Sequence, residues 1–292
     1  MSVGLPSVGG LTNSSRKYEV SEAIEKSLDN CLSETDLLRT VPQLKSKIRG
    51  KDIYDGGDYL VLVTTDRQSA FDRILASIPF KGQLEDMLPE GTDTSLWTVY
   101  KNGSRNYVAM RLPDGMVKNE KLSANILTPT TKAADHDVPV TPKEIIEQGL
   151  MSPEDYEEVS RKALSLFEFG LHVASEHGLI LVDTKYEFGK APDGTILLID
   201  EVHTPDSSRY WIADSYEERF QKGLEPENVD KEFLRLWFKE NLQSLTTWLF
   251  KPLCRYIFLY ETITKTKFEL PILEEPIHDR ISRNVLSALS SL

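Results

Sequence analysis

Hydrophobic positions along the chain change period several times, and each change predicts an element. Val159, Ala163, Phe167 and Ala174 recur at helical spacing within Tyr156–His177. Ser152, Pro153, Glu154 and Asp155 precede them as a helix start, and Gly178 follows as a stop. The pattern then turns apolar and alternating. It predicts two strands, Leu179–Phe188 and Thr195–Asp200, joined by a turn containing Pro192, Asp193 and Gly194. Nearer the start, residues 19–31 predict a helix, with a second short helical pattern after Ser33. Tyr59–Thr64 is a nearly continuous apolar run of the kind found in a buried strand. Residues 84–91 (LEDMLPEG) read as a loop or short helical turn leading to Ser95–Tyr100. The many Pro, Thr and Asp residues of 112–142 predict extended or loop structure. The remainder is mainly helical, including Asp230–Asn241 and Cys254–Thr264. Without an internal repeat, this order predicts an α+β protein, an antiparallel sheet decorated by helices.

Composition narrows the picture modestly. A chain of 292 residues, 40% hydrophobic and 27% charged, suffices for one large domain or two lobes. Its net charge of −12 argues against a general nucleic-acid binder, which needs clustered Lys and Arg. Small phosphorylated substrates remain compatible, since a few local cations bind those. Cys31 and Cys254 lack metal-ligand spacing, so neither a disulfide framework nor structural zinc is expected, and a reducing compartment is. No run reaches the roughly 18 apolar residues that a membrane span needs, so no membrane partner is expected. The first 18 residues hold no acid and are rich in Ser and Gly, with Arg16 and Lys17 near their end. They fit the tail of an organelle transit peptide, or simply a loose terminus.

The candidate chemistry concentrates in GLILVDTKYEFG, residues 178–189. In a continuous strand Asp183, Lys185 and Glu187 project from one face. The facing run Ile196–Ile199 ends in Asp200 and Glu201. Acids closing an apolar strand are costly to bury unless a cation offsets them. Glu187 and Asp200 could share Mg²⁺ through oxygen while Lys185 neutralises a phosphate. The turn decides: a two- or four-residue loop keeps Glu187 and Asp200 on one face, and a three-residue loop separates them. The same pattern also fits a solvent-facing charged ladder. Residues 64–72 (TTDRQSAFD) follow a buried strand, where ligand loops often lie, with Asp66, Arg67, Ser69 and Asp72 as candidates or as turn formers. Thr130, Thr131, Lys132, Asp135, His136 and Asp137 form a polar cluster in a Pro-bounded loop. Arg209 offers a fork of donors to a phosphate.

At these residues the chain resembles the phosphoribosylaminoimidazole-succinocarboxamide synthases, or SAICAR synthetases. The Asp-x-Lys-x-Glu-Phe-Gly run at 183–189 matches a signature of that family. TTDRQSAFDRILASIPFKGQ at 64–83, ILTPTTKAADHD at 126–137 and LIDEVHTPDSSRYW at 198–211 support it. SYEERFQKGLEPENVDKEFLRLWFKEN and EPIHDRISRN resemble the plant members. The resemblance spans roughly residues 34–83, 92–241 and 255–292.

It implies an ATP- and Mg²⁺-dependent ligase of purine biosynthesis that joins L-aspartate to the carboxylate of CAIR, a phosphoribosyl aminoimidazole, through an acyl phosphate. The implied fold has two α+β lobes with an antiparallel sheet and an ATP cleft: a tail and helix over 1–35, a truncated N-terminal lobe over 36–111 and a catalytic lobe over 112–292. Carried over residue by residue, the resemblance makes Glu187 and Asp200 the metal and phosphate-site acids. Lys51 and Lys185 lie beside the nucleotide, and Lys185, Asp183 and Asp137 are catalytic. Ser69, Asp72, Lys132 and Arg209 bind substrate, Arg209 through the CAIR phosphate. The partners are CAIR, L-aspartate and ATP, with a homo-oligomer also allowed. The chloroplast stroma is the implied compartment, the cytoplasm the other. Kinase-like phosphotransfer is disfavoured by the missing Gly-rich loop and HRD motif.

Three departures stand out. The family's phosphate loop reads Gly-Lys-x-Arg-Asp-Ile-Tyr, whereas this chain has Gly50, Lys51, Asp52, Ile53 and Tyr54 in succession. Two residues fewer shift the register and are expected to draw Lys51 away from phosphates. After Gln83, only Leu84–Gly91 stands where the family carries an inter-lobe connection beside adenine, with an Arg and a Ser for the CAIR phosphate. Residues 242–254 (LQSLTTWLFKPLC) also differ from the family's sequence. A catalytically impaired chain, at most binding nucleotide or pairing with an intact subunit, is therefore the alternative expectation.

Overall fold

The computed structural model describes residues 14–27, 30–48, 52–56, 60–70, 73–78, 80–81, 115–131, 138–191, 193–199, 201–229, 246–270 and 275–291. The chain forms two compact units, Met1–Met87 with Phe233–Leu292, and Leu88–Glu232. All described strand pairings are antiparallel, and helices accompany them, so the expected α+β class holds. No helix among the described residues is long and apolar enough to cross a membrane.

The first unit opens with α1 (Ser14–Ser27), which starts inside the stretch read as tail and ends before the expected residue 31. A short 3-10 turn at Leu37–Arg39 follows Ser33, where a short helical pattern was expected. β1 (Ser46–Ile48), β2 (Ile53–Asp55) and β3 (Leu60–Leu62) then form a three-stranded sheet, β3 being the core of the apolar run Tyr59–Thr64. β4 (Arg67–Ala70) and β5 (Arg73–Ser77) form a hairpin with one irregularity between Gln68 and Ser69.

Asp52, in the β1–β2 turn, organises this unit. It is 2% exposed, accepts from the Thr35 amide (2.9 Å) and hydroxyl (2.8 Å), and lies 3.0 Å from Lys47 Nζ and 3.1 Å from Arg67 Nη1. A buried carboxylate needs such partners, and here they tie three chain segments together. Further on, Ile281, Val285 and Leu289 recur every fourth residue on the last helix of the chain and pack with Leu37, Val41, Leu44 and Tyr54. A second core joins Val20 and Ile24 of α1 to Ile78, Phe80, Tyr256, Ile257 and Phe268.

The second unit holds the residues of interest. A loop over 115–129 leads to the short pair β6 (Thr130–Thr131) and β7 (Val138–Pro139). α2 (Pro142–Glu147) falls at the end of the segment expected to be loop; Thr141 and Glu144 cap each other reciprocally and Pro142 starts the first turn. α3 (Pro153–Glu176) forms as expected. The Ser152 hydroxyl accepts from the Asp155 amide, and Gly178 takes φ +69° after the helix. The face carrying Ala163, Leu166, Gly170 and Ala174 is buried.

After α3 come β8 (Leu179–Thr184), β9 (Phe188–Lys190), β10 (Ile196–Leu198) and β11 (Ser208–Ile212), then α4 (Ala213–Gln221). β8 pairs with β11, and β9 with β10. The expected single strand Leu179–Phe188 is thus two strands in two sheets. Its two ends find different partner strands, and residues 185–187 bridge between them. β11 was not expected. The helical remainder continues in the first unit with α5 (Thr246–Thr264) and α6 (Ile277–Ser290); the predicted helix Asp230–Asn241 lies outside the described residues.

Candidate active site

The β9–β10 turn fixes where the carboxylates lie. Ala191 donates to the Thr195 carbonyl (2.8 Å), enclosing three residues. Gly194 takes φ +93°, a conformation that favours glycine, and the Thr195 amide donates to Asp193 Oδ1. Leu198 therefore faces Phe188, and the Ile199 amide donates to the Glu187 carbonyl. This is the three-residue register, not the two- or four-residue one that would keep Glu187 and Asp200 on a common face. β10 ends at Leu198 and Asp200 lies outside the described residues.

The break between β8 and β9 also separates the three alternating charges. Lys185 and Glu187 stay together, Nζ to Oε1 at 3.0 Å, with the Glu187 side chain 5% exposed and that of Lys185 30%. Asp183 instead joins Arg209 across the β8–β11 ladder. Arg209 Nε donates to Asp183 Oδ1 (3.0 Å) and Nη2 approaches Oδ2 (2.7 Å). The expected one-face trio is corrected to two pairs, because β8 turns toward β11 while 185–187 crosses to β9. The Asp183 pair engages one edge of the guanidinium and leaves the Nη1 side for another acceptor.

Between Lys185 and Glu187, Tyr186 makes a partly buried aromatic contact that has no local sequence signal. Tyr186 Oη and His203 Nε2 share a hydrogen bond of 2.5 Å. Burial drives the Tyr186 phenol up, so it keeps its proton, and pushes His203 down to about 4, so the imidazole is neutral near pH 7. The Tyr210 hydroxyl donates to the His203 carbonyl (2.8 Å). The following turn is closed by Thr204, whose hydroxyl donates to Glu201 (2.6 Å), while Ser208 donates to Thr184 (2.8 Å).

Of the remaining candidates, Ser69 lies in β4, Asp66 is buried, and Arg67 pairs with Asp52. Lys51, Asp72, Lys132 and Asp137 lie outside the described residues. No group of three acids, His or Cys suited to a metal occurs among the described residues. Glu187, buried and oxygen-bearing, still fits Mg²⁺, which takes one or two protein carboxylates and completes its shell with water and substrate phosphates.

The SAICAR synthetase family model matches residues 95–249. The chloroplastic phosphoribosylaminoimidazole-succinocarboxamide synthase of Arabidopsis thaliana is 58% identical, with 98% of this chain and 83% of that protein covered. The chain belongs to the SAICAR synthetase family. The chloroplastic synthase of Vigna aconitifolia is 64% identical over 79% of this chain and 81% of its own. The SAICAR synthase of Saccharomyces cerevisiae, solved with SAICAR, matches with TM-score 0.61 and 25% identity, covering 80% of this chain and 98% of that one. The Arabidopsis alignment runs over 340 positions, more than the 292 residues available here, so that family member carries residues with no counterpart in this chain.

Proposed function

We propose that the chain joins L-aspartate to CAIR at the expense of ATP, forming SAICAR, ADP and phosphate. The Lys185–Glu187 pair within the family signature, its carboxylate buried, carries this reading. A carboxylate is a poor electrophile, so its oxygen first attacks the γ-phosphorus of ATP and ADP departs. The aspartate amine then attacks the acyl carbon, loses a proton and displaces phosphate. The protein's task is to hold three anionic reactants together and compensate their charge.

Lys185 contributes one cationic group at the transferred phosphate. Glu187 would hold Mg²⁺, which neutralises phosphate charge when bound; Asp200 follows the end of β10 at Leu198, where the ladder no longer sets its direction, and is assigned as the second ligand. Arg209 takes the CAIR phosphate with its free edge while Asp183 fixes the guanidinium plane. Ser69, Asp72, Lys132 and Asp137 are assigned to CAIR and aspartate; Lys51, the family's nucleotide cation, is the residue that the shortened loop would withdraw. The chloroplast is the proposed compartment, supported by the two plant relatives named as chloroplastic.

The test is turnover of purified chain with CAIR, L-aspartate and Mg·ATP, following ADP and SAICAR together. Stoichiometric formation of both is expected. ADP without SAICAR, or neither product, refutes the ligase reading; Mg·ADP binding without turnover would mark an impaired nucleotide binder.

A further inference from the structure

Tyr186 stands between the two residues assigned to phosphate and metal, yet its ring turns inward. It packs edge-on against Phe188 (centroids 6.3 Å apart) and against His203 (5.6 Å), and its hydroxyl meets His203 Nε2 at 2.5 Å. His203 is 8% exposed and holds φ +57°, an unusual backbone for a non-glycine residue. Such a conformation persists only where its surroundings enforce it. Three contacts do so. Tyr186 holds the ring, the Tyr210 hydroxyl holds the carbonyl, and α3 presents Gly170 beside the imidazole. A Cβ on Gly170 would stand 2.5 Å from His203 Cε1. The helix therefore carries a glycine where the imidazole lies.

We propose that the Tyr186–His203 hydrogen bond is a positioning element that locks the Lys185–Glu187 segment to the 201–207 loop, presetting both for the nucleotide's phosphates and their metal. The inference rests on the proposed ligase function for the roles of Lys185 and Glu187. Residues 185–187 belong to neither flanking strand; the Lys185 amide donates to Ser207 O (3.1 Å) and Glu187 O accepts from Ile199 (2.8 Å). Tyr186 adds a side-chain anchor at the centre of that segment. The same imidazole belongs to the loop leading to Arg209, so one bond couples the two strands of chain that carry the candidate cations.

Tyr186→Phe deletes the bond and keeps the ring. Amide hydrogen exchange at Lys185 and Ile199 is expected to accelerate about tenfold, the loss of one net hydrogen bond. Exchange in the β1–β2 hairpin stays unchanged. Affinity for Mg·ADP, read by calorimetry, falls by a similar factor. Turnover loses about tenfold in kcat with a KM for aspartate within twofold. His203→Leu reproduces these losses, and His203→Gln, whose amide can still meet the phenol, recovers most of them. The Tyr186→Phe/His203→Leu double variant is no worse than either single one. Unchanged local exchange in Tyr186→Phe overturns the lock. Accelerated exchange with unchanged Mg·ADP affinity overturns its functional role. A wild-type chain that binds Mg·ADP without turnover defeats the ligase proposal alone, because exchange and nucleotide affinity still read the lock.

Discussion

Substituting Gly170 with alanine sets two effects against each other. In an exposed helix interior the change stabilises by about 1 kcal/mol, because glycine has more conformational freedom to lose. Here the added Cβ would stand 2.5 Å from His203 Cε1, 2.7 Å from His203 Nε2 and 2.7 Å from Leu181 Cδ2. Neither neighbour can retreat cheaply: Leu181 is 2% exposed, and the imidazole is tethered to Tyr186. Overpacking a filled core costs about 1–3 kcal/mol. The collision should therefore outweigh the helix gain and leave Gly170→Ala about 1 kcal/mol less stable than wild type. Thermal and urea unfolding both read this difference. In a His203→Ala background the two imidazole contacts disappear and leave space into which Leu181 can shift, so the same glycine substitution should become neutral or stabilising. A Gly170→Ala protein more stable than wild type would show that the imidazole yields freely, which contradicts the packing argument and weakens the lock.

Asp52→Ala removes the buried acceptor shared by the Thr35 amide and hydroxyl, Lys47 and Arg67, and should cost about 3 kcal/mol, read by urea unfolding; a loss below 1 kcal/mol would contradict its organising role. Burial alone would raise the Asp52 carboxyl, but the Thr35 amide and hydroxyl and the Lys47 ammonium outweigh it and hold it below the usual range. Its contribution is thus complete above the ordinary carboxyl range and is lost as pH falls through the lower folded value. His203 acts at milder acidity. Its folded value of about 4 against an unfolded 6.5 favours proton uptake by the unfolded chain. Stability should be intact above pH 6.5 and fall by about 3 kcal/mol by pH 4. Urea titrations of wild type and His203→Gln should differ in that slope, and parallel curves would refute the assignment. Ser152→Ala should cost about 1 kcal/mol, the usual value of an N-cap, measured by thermal unfolding.

Legibility followed locality. α3 could be read whole because its cap, apolar stripe and glycine stop lie within one short stretch of chain. The turn at 192–194 was legible as a turn but not in its register, since two, three and four residues all suit Pro-Asp-Gly. β11 was not expected because its β-forming run, Tyr210, Trp211 and Ile212, is only three residues long and directly follows a Ser- and Asp-rich turn. α2 hid at the end of a Pro- and Thr-rich stretch, although Thr141 and Glu144 spell a capping box. The break after Thr184 had no local mark: it exists because two separate later strands, β11 and β10, claim different ends of the same run. The Tyr186–His203 bond is illegible for the same reason. Asp183 and Arg209 were both candidates, yet only the ladder revealed that they are each other's partners.

The departures from the family bear unequally on these residues. The constellation from Asp183 to Arg209 rests on a core of its own unit: Ala163 and Leu166 of α3, Phe188 of β9, and Ile196 and Leu198 of β10, with Leu127, Val159, Tyr186 and Val202 against them. None of these residues belongs to the short phosphate loop or to the join after Gln83. If the missing segments impair the chain, the deficit should therefore fall on recognition of adenine and CAIR, while the Lys185–Glu187 pair keeps its affinity for phosphate and metal. Inorganic pyrophosphate with Mg²⁺ separates the two, since it carries the phosphates without the base. Calorimetry should find it bound by this chain and weakened about tenfold by Glu187→Gln, the cost of one charge-assisted contact. Retained binding in Glu187→Gln would place the phosphates elsewhere and remove the observation on which the ligase proposal stands.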